Sequence, residues 1–289
     1  MLTRAIEKGM DMEPKTAAAG QVKIGETLVN RIGLGTNRIT DTPESQGVLR
    51  RALELGVNFI DTAHRYTNGA SETTIGKTLA PYPGGLVIAS KAGLRAEGPA
   101  SSPAQLREDL EESLVRLRAD SIFLYQLHRV DPRVPIEESL SALKQFQQEG
   151  KVRHIGLSEV TVEQIKQAQA VVPIVSVQNQ YNVVIRRYDA EVDYCTEHDI
   201  IFIPWFPLGG LAGGAAQVQA ALTEMAARYE AGAQQIAIAW LLKRSPVMLP
   251  IPGTLSLKHL AENVAAGSIH LRDEDFRALD ELGRVSFGA

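Results

Sequence analysis

Two periodicities alternate along this chain. Short apolar runs rich in Val, Ile and Leu occupy residues 32–36, 58–62, 86–90, 122–128, 152–158, 174–178, 200–205 and 247–251. Several are unbroken aliphatic stretches, as expected of strands buried on both faces. Between them lie segments with helical spacing and proper start and stop signals. Thr42-Pro43 opens a helix over 43–55 that Gly56 stops. Ser102-Pro103 opens one over 103–118, with Leu106, Leu110, Ser113, Leu114 and Leu117 on one face. Ser158 or Thr161 opens a third that runs to Ala170. Ser or Thr caps, Pro at the first helical position and Gly past the last are the expected punctuation. Before all this, residues 21–31 set Val22, Ile24, Leu28 and Val29 around Gly25-Glu26, the pattern of a β-hairpin.

Eight strands, each followed by a helix, predict an α/β fold: a (β/α)8 TIM barrel whose N-terminal β-hairpin plugs the bottom. An open doubly wound sheet is disfavoured. Gly33-Leu-Gly35 stops short of a dinucleotide fingerprint and leads into a polar loop, not a helix. Nothing reads as a domain linker, so residues 21–289 are expected to form one domain behind a flexible leader, 1–20. The chain has 289 residues. That length would suit two domains of ~150 residues, but α/β barrels run to roughly 250 as one unit.

Composition narrows the function classes. The formal net charge is −4 and no run of Lys or Arg occurs, so a nucleic-acid partner is not expected. No apolar stretch is long enough to span a bilayer, and residues 1–20 lack the apolar centre of a secretion signal. With Cys195 as the single cysteine, no internal disulfide can form, which fits a reducing cytoplasm. Cys195 itself reads as a small apolar residue on a helix around 192–196. A monomer or weak oligomer is expected.

The chemistry is read at the strand ends, because barrel enzymes carry their reactive groups on the C-terminal face. The second strand ends in Asp61 and its loop carries Tyr66; the third ends in Lys91; the fourth ends in His128. Neighbouring strands lie about 5 Å apart, so these four can converge. A free phenol, with a pKa near ~10, is a weak proton donor. An ammonium beside it lowers that value, and Lys91 can supply the charge. Asp61 can hold Lys91, and His128 can orient a carbonyl and stabilise charge on its oxygen. A hydride must come from a cofactor, since no side chain supplies one.

These motifs resemble the aldo-keto reductase family. They are Gly56-Val-Asn-Phe-Ile-Asp-Thr-Ala-His-Arg-Tyr66 with Ser71-Glu72, Ser90-Lys91, Leu127-His128, Gly150-Lys-Val-Arg-His-Ile-Gly-Leu-Ser158, Val177-Gln-Asn-Gln-Tyr-Asn182, Pro204-Trp-Phe-Pro-Leu-Gly209, and Ile251-Pro-Gly-Thr254 followed by Glu262-Asn263. The likeness covers the chain from about Gln21 onward and includes a bacterial branch of pyridoxal-type reductases. It implies reversible carbonyl reduction with NADPH, NADH being left open, on a small-molecule aldehyde or ketone. The family's catalytic Asp, Tyr, Lys and His fall on Asp61, Tyr66, Lys91 and His128. Ser158 and Gln178 are implied to hold the nicotinamide carboxamide, and Trp205 to stack on its ring. Gly35, Thr36 and Asp61 also fall among the implied cofactor positions. Phe206, Pro207, Leu208 and Gly209 resemble the loop over the pyrophosphate. Gly253, Thr254, Ser256, His259, Glu262 and Asn263 resemble the adenosine and 2′-phosphate end, where a helix starting near Ser256 would aim its N–H groups at phosphate. The same family contains cofactor-sensing regulatory subunits of ion channels, so that reading stays open as the alternative.

Three residues depart from the pattern. Glu159 stands where the family usually has Asn; its carboxylate can accept from the carboxamide and, if close, favour the oxidised nicotinamide, or it points to solvent. Phe206 replaces a frequent Ser. Gly253 stands where some members place a Lys, for which Lys258 or His259 could compensate. His64, Arg65, Arg95 and Arg129 fall near the mouth by position, which suits an anionic carbonyl compound. The glycines of 209–214 read as a flexible connection or a lid.

Overall fold

The computed structural model describes residues 16–209 and 216–288. A hairpin of β1 (Gln21–Ile24) and β2 (Thr27–Asn30) comes first. It buries Val22, Ile24 and Val29, while Leu28 turns outward and is exposed. Asn58 donates to the Leu28 carbonyl and accepts from the Asn30 N–H, and His154 lies against Gly25 and bonds Glu26. Both contacts are with the beginnings of barrel strands, so the hairpin covers the N-terminal end as the pattern predicts.

Then come β3 (Leu34–Gly35), α1 (Pro43–Glu54), β4 (Phe59–Asp61), α2 (Ala70–Leu79) and β5 (Val87–Ala92). A small hairpin, β6 (Leu94–Arg95) with β7 (Gly98–Pro99), precedes α3 (Pro103–Leu117) and β8 (Ile122–Leu127). They are followed by α4 (Ile136–Gln148), β9 (Val152–Ser158), α5 (Val162–Gln169), β10 (Ile174–Gln178), α6 (Asp189–Glu197) and β11 (Ile201–Phe202). Helices α7 (Ala216–Arg228), α8 (Ala233–Arg244), α9 (Leu257–Ala265) and α10 (Asp273–Gly288) complete the outer ring.

Seven strands form one parallel sheet in the order β11-β10-β9-β8-β5-β4-β3. The eighth candidate, 247–251, closes the ring without becoming a regular strand. On one side Phe202 N–H donates to the Val247 carbonyl and Leu249 N–H to that of Phe202 (3.0 and 2.9 Å); on the other Gly33 N–H donates to the Pro250 carbonyl (3.0 Å). Pro250 and Pro252 have no N–H to give, so a continuous ladder cannot form here. Gly35 and Gly253 meet across this seam. A Cβ on Gly35 would lie 2.7 Å from the Ile251 carbonyl oxygen, and one on Gly253 would lie 2.8 Å from that of Gly35.

The helix signals act as read. Thr42 accepts from Ser45 N–H at the start of α1, and Gly56 ends it with a φ of 83°. Ser102 caps α3, whose Leu106, Leu110, Ser113, Leu114 and Leu117 are all buried. Thr161, not Ser158, caps α5, through a box closed by Gln164. Cys195 is buried on α6. One boundary moves: Thr16–Ala19 forms a turn docked on the barrel, with Thr16 N–H on the Leu55 carbonyl and its hydroxyl on that of Gly56. Residues 1–15 of the predicted leader lie outside the described residues, as does the 210–214 part of the glycine-rich stretch. No helix among the described residues is long and apolar enough to cross a membrane.

Candidate active site

Register brings the predicted groups together. Asp61 pairs with Ala89, so Lys91, two residues on, shares its face; Lys91 pairs with Gln126. Side chains that alternate along parallel strands thus meet at the C-terminal mouth. Lys91 Nζ donates to Asp61 Oδ2 (2.7 Å), to the Thr62 carbonyl (2.8 Å) and to the Tyr66 hydroxyl (3.2 Å). Both members of the Lys91–Asp61 pair are buried. Asp61 Oδ1 accepts from Gln178 Nε2 at 2.7 Å.

Tyr66 stands on a 3-10 turn directly after β4, kinked by left-handed Thr67 and Asn68. The imidazole of His128 meets its ring edge-on, with centroids 5.9 Å apart, and His128 N–H is fixed on the Ala92 carbonyl. His128 Nδ1 is buried without a partner.

The electrostatics correct one expectation. Burial is the largest influence on the phenol of Tyr66 and raises its pKa; the Lys91 charge opposes this only in part, and Asp61 reinforces it. Tyr66 is therefore a firmly protonated donor rather than a phenol tuned downward. Burial disfavours the ammonium of Lys91, but Asp61 and Tyr66 outweigh it and its pKa stands above the ordinary lysine value. His128 is held well below its ordinary value by burial first, then by the charges of Lys91 and Arg129, so it is neutral.

Three adjoining cavities open around this cluster. One of about 420 Å³ is lined by Gly35, Thr36, Asp61, Tyr66, Trp205, Phe206, Pro207, Leu208, Gly209 and Gly253, with Asn37 and Arg38. It continues past Arg38, Leu208 and Gly253 into a second of about 430 Å³, which reaches Thr254, His259, Glu262 and Asn263. The third, about 350 Å³, has Tyr66, His128, Ser158, Gln178 and Trp205 in its wall together with Arg65 and Arg129. Ser256 lines none of them; its hydroxyl accepts from His259 N–H as the cap of α9. Asn182 ties down the Phe206–Gly209 turn by donating to both carbonyls, and a Cβ on Gly209 would collide with the Phe206 ring.

Other predicted positions are differently occupied. His64 is bound to Glu112 (2.8 Å), and Arg95 to Glu108 and Asp109 (2.5 and 2.7 Å), so both are engaged with α3 and not with the mouth. Glu159 does not face the cofactor groove as a free acceptor. Its Oε1 takes the N–H groups of Gln180 (2.6 Å) and the Trp205 indole (2.7 Å), and its Oε2 takes Arg187 and the Tyr188 hydroxyl (both 3.0 Å). His259, in the wall of the second cavity, and Lys258 both lean on Glu262 (2.8 and 3.8 Å) from exposed positions. Arg38, which the sequence reading passed over, is the one arginine or lysine among the described residues lining the first two cavities, and it donates to the Gly253 carbonyl. Its signal was a lone cation in the polar loop after the first strand.

The Aldo/keto reductase family model matches residues 31–284. The chain belongs to the aldo-keto reductase family. An aldo-keto reductase is an oxidoreductase of carbonyl compounds, and the barrel described above is this family's fold. An uncharacterised oxidoreductase of Schizosaccharomyces pombe is 43% identical over 280 residues, covering 92% of this chain and 90% of its own. Pyridoxine 4-dehydrogenase of Escherichia coli is 38% identical over 281 residues, covering 90% and 97%. Among solved structures, an aldo-keto reductase of Klebsiella pneumoniae in complex with NADPH superposes with a TM-score of 0.80 at 28% identity, covering 94% of this chain and 95% of that one.

Proposed function

We propose that this aldo-keto reductase uses NADPH to reduce an aldehyde or ketone reversibly, with Tyr66 as the proton donor. The observation that carries the reading is the contact chain Asp61–Lys91–Tyr66 ending in a phenol shared by the 420 and 350 Å³ cavities. The chain's residues also suit the cofactor. The two larger cavities adjoin through Arg38, Leu208 and Gly253, which suits an extended dinucleotide. Ser158 and Gln178 offer a hydroxyl and an amide beside Trp205, and Arg38 offers a cation where phosphate would pass. Ser158 Oγ accepts from Arg129 Nη1 and Gln178 donates to Asp61, so each keeps capacity for a further bond.

When bound, the nicotinamide supplies the hydride. Tyr66 gives its hydroxyl proton to the carbonyl oxygen as charge develops there. Lys91, held charged by Asp61, donates to the phenol oxygen and stabilises it as the proton leaves. Neutral His128 fixes the carbonyl from the other side of Tyr66 through a ring N–H. In the alcohol-to-carbonyl direction the phenolate takes the proton back. Arg65 and Arg129 line the third cavity with no carboxylate within ion-pair distance among the described residues, which favours carbonyl compounds bearing an anionic group.

The test is NADPH oxidation with a panel of neutral and carboxylate-bearing aldehydes and ketones, pyridoxal included. Tyr66→Phe should lower kcat by about 10²- to 10⁴-fold, the usual worth of a positioned acid, while NADPH still binds. A full rate in Tyr66→Phe would refute the assignment. No turnover with any carbonyl would favour a cofactor-sensing role instead.

A further inference from the structure

Glu159 stands next to Ser158, which lines the 350 Å³ cavity. It follows β9 directly and holds a left-handed backbone, φ 55°, with its N–H on the Gln178 carbonyl. Non-glycine residues keep that conformation where their surroundings fix it, and they concentrate at functional sites. Its carboxylate receives four donors from two other loops: Gln180, Arg187 and Tyr188 after β10, and the Trp205 indole after β11. All four acceptor positions of a carboxylate are then in use. An amide in its place would present an NH₂ group either to Arg187 and Tyr188 or to Trp205 and Gln180. Only a carboxylate satisfies both pairs.

Trp205 lines both the 420 and the 350 Å³ cavities, as do Tyr66 and Asn37. The Trp205 ring is partly buried against the core and lies 6.0 Å from that of Phe206, contacts that are non-directional and leave its plane to be set by a polar anchor. The indole N–H is the one polar handle that can do so, and the 2.7 Å bond to Glu159 uses it. We infer that Glu159 is a positioning residue: it locks the Trp205 ring into the plane that sets which nicotinamide face meets the carbonyl, and it joins that ring to the Arg187–Tyr188 loop. This rests on the NADPH reading of the same site. It gives Glu159 no contact with cofactor or substrate.

The experiment is a double-mutant cycle in the full chain with Glu159→Ala, Trp205→Phe, which keeps a ring but loses the N–H, and the pair together. Each single variant should lose about 10- to 100-fold in kcat/KM, the scale of a loosened positioning group. The double variant should lose no more than the worse single, because both changes cut one bond. Deuterium transfer from stereospecifically labelled NADPH should leak to the second face in all three, and Glu159→Gln should restore part of the fidelity by keeping one acceptor. Additive losses, or unchanged fidelity in Glu159→Ala, would overturn the inference. Should Glu159→Ala fail to fold, Trp205→Phe and Glu159→Gln read the same bond. Should the parent reduce no carbonyl, the reductase reading falls, and the lock is tested without turnover. A red shift of Trp205 emission in Glu159→Ala, read in a Trp240→Phe background, then supports it, and an unchanged spectrum overturns it.

Discussion

Asp61→Asn separates the stabilising work of the buried ion pair from its chemical work. The substitution keeps the shape and one of the two acceptor oxygens, so Gln178 retains its partner while an NH₂ group is turned toward Lys91. It removes the counter-charge of Lys91, whose side chain is fully buried with only the Thr62 carbonyl and the Tyr66 hydroxyl left as partners. Stranding one member of a buried pair costs ~3–5 kcal/mol, out of the ~5–15 kcal/mol that holds a typical fold. With a urea m-value near ~3 kcal/mol/M for a chain of this size, the midpoint should fall by about 1–1.7 M. Removing both charges in Asp61→Asn/Lys91→Met should recover most of that loss, less ~1–3 kcal/mol for the Thr62 carbonyl left without its donor. Reductase activity should be lost in both variants. Urea melts followed by circular dichroism, run beside NADPH oxidation, read the two quantities separately. A single variant within ~0.5 kcal/mol of the parent, or a double variant no more stable than the single, would show that the pair is not held as described.

Three further outcomes follow from the same geometry. Folded His128 resists protonation, so below about pH 6.5 the unfolded chain takes up a proton that the native state refuses; stability from this group is complete above that pH and falls at up to ~1.4 kcal/mol per unit toward pH 5, and His128→Gln should flatten the decline in urea midpoints. Arg129→Leu should lower kcat/KM for a carboxylate-bearing aldehyde by roughly 10- to 100-fold relative to a neutral one, the worth of a charged hydrogen bond; an unchanged ratio would remove the anion preference. Cys195 is buried and its thiol is pushed up by that burial, so a disulfide-type thiol reagent should react only after unfolding, and rapid modification of the native protein would contradict the packing of α6.

The elements legible in the sequence were those whose cause is local. Aliphatic runs, caps such as Thr42 and Ser102, and the polar residue at each strand end announce themselves within a few positions. What stayed hidden depends on partners distant along the chain. His64 and Arg95 look like mouth residues until α3 presents Glu108, Asp109 and Glu112 to them. Glu159 looks like a cofactor ligand until loops 21 to 46 residues away fill both its oxygens. Stretch 247–251 looks like any other strand, because its prolines matter only once the backbone has neighbours on both sides. The Tyr66 pKa was misjudged for the same kind of reason: the adjacent ammonium is visible in the order of motifs, whereas the depth of burial is a property of the assembled mouth.

The seam at Gly35 and Gly253 has a further consequence. A ring of strands is only as tight as its weakest join, and here the join is a few backbone bonds beside two prolines. Local opening of the barrel should begin there, at amides such as Gly33 and Leu249, well before the rest of the sheet exchanges its protons with solvent. The groove proposed for the dinucleotide runs over this same join, with Gly35 and Arg38 on one bank and Gly253 on the other. A molecule lying across it would fasten the two banks, so the barrel's slackest point and its binding free energy would be coupled, and loading the cofactor would complete the closure that the chain's own hydrogen bonds leave sparse.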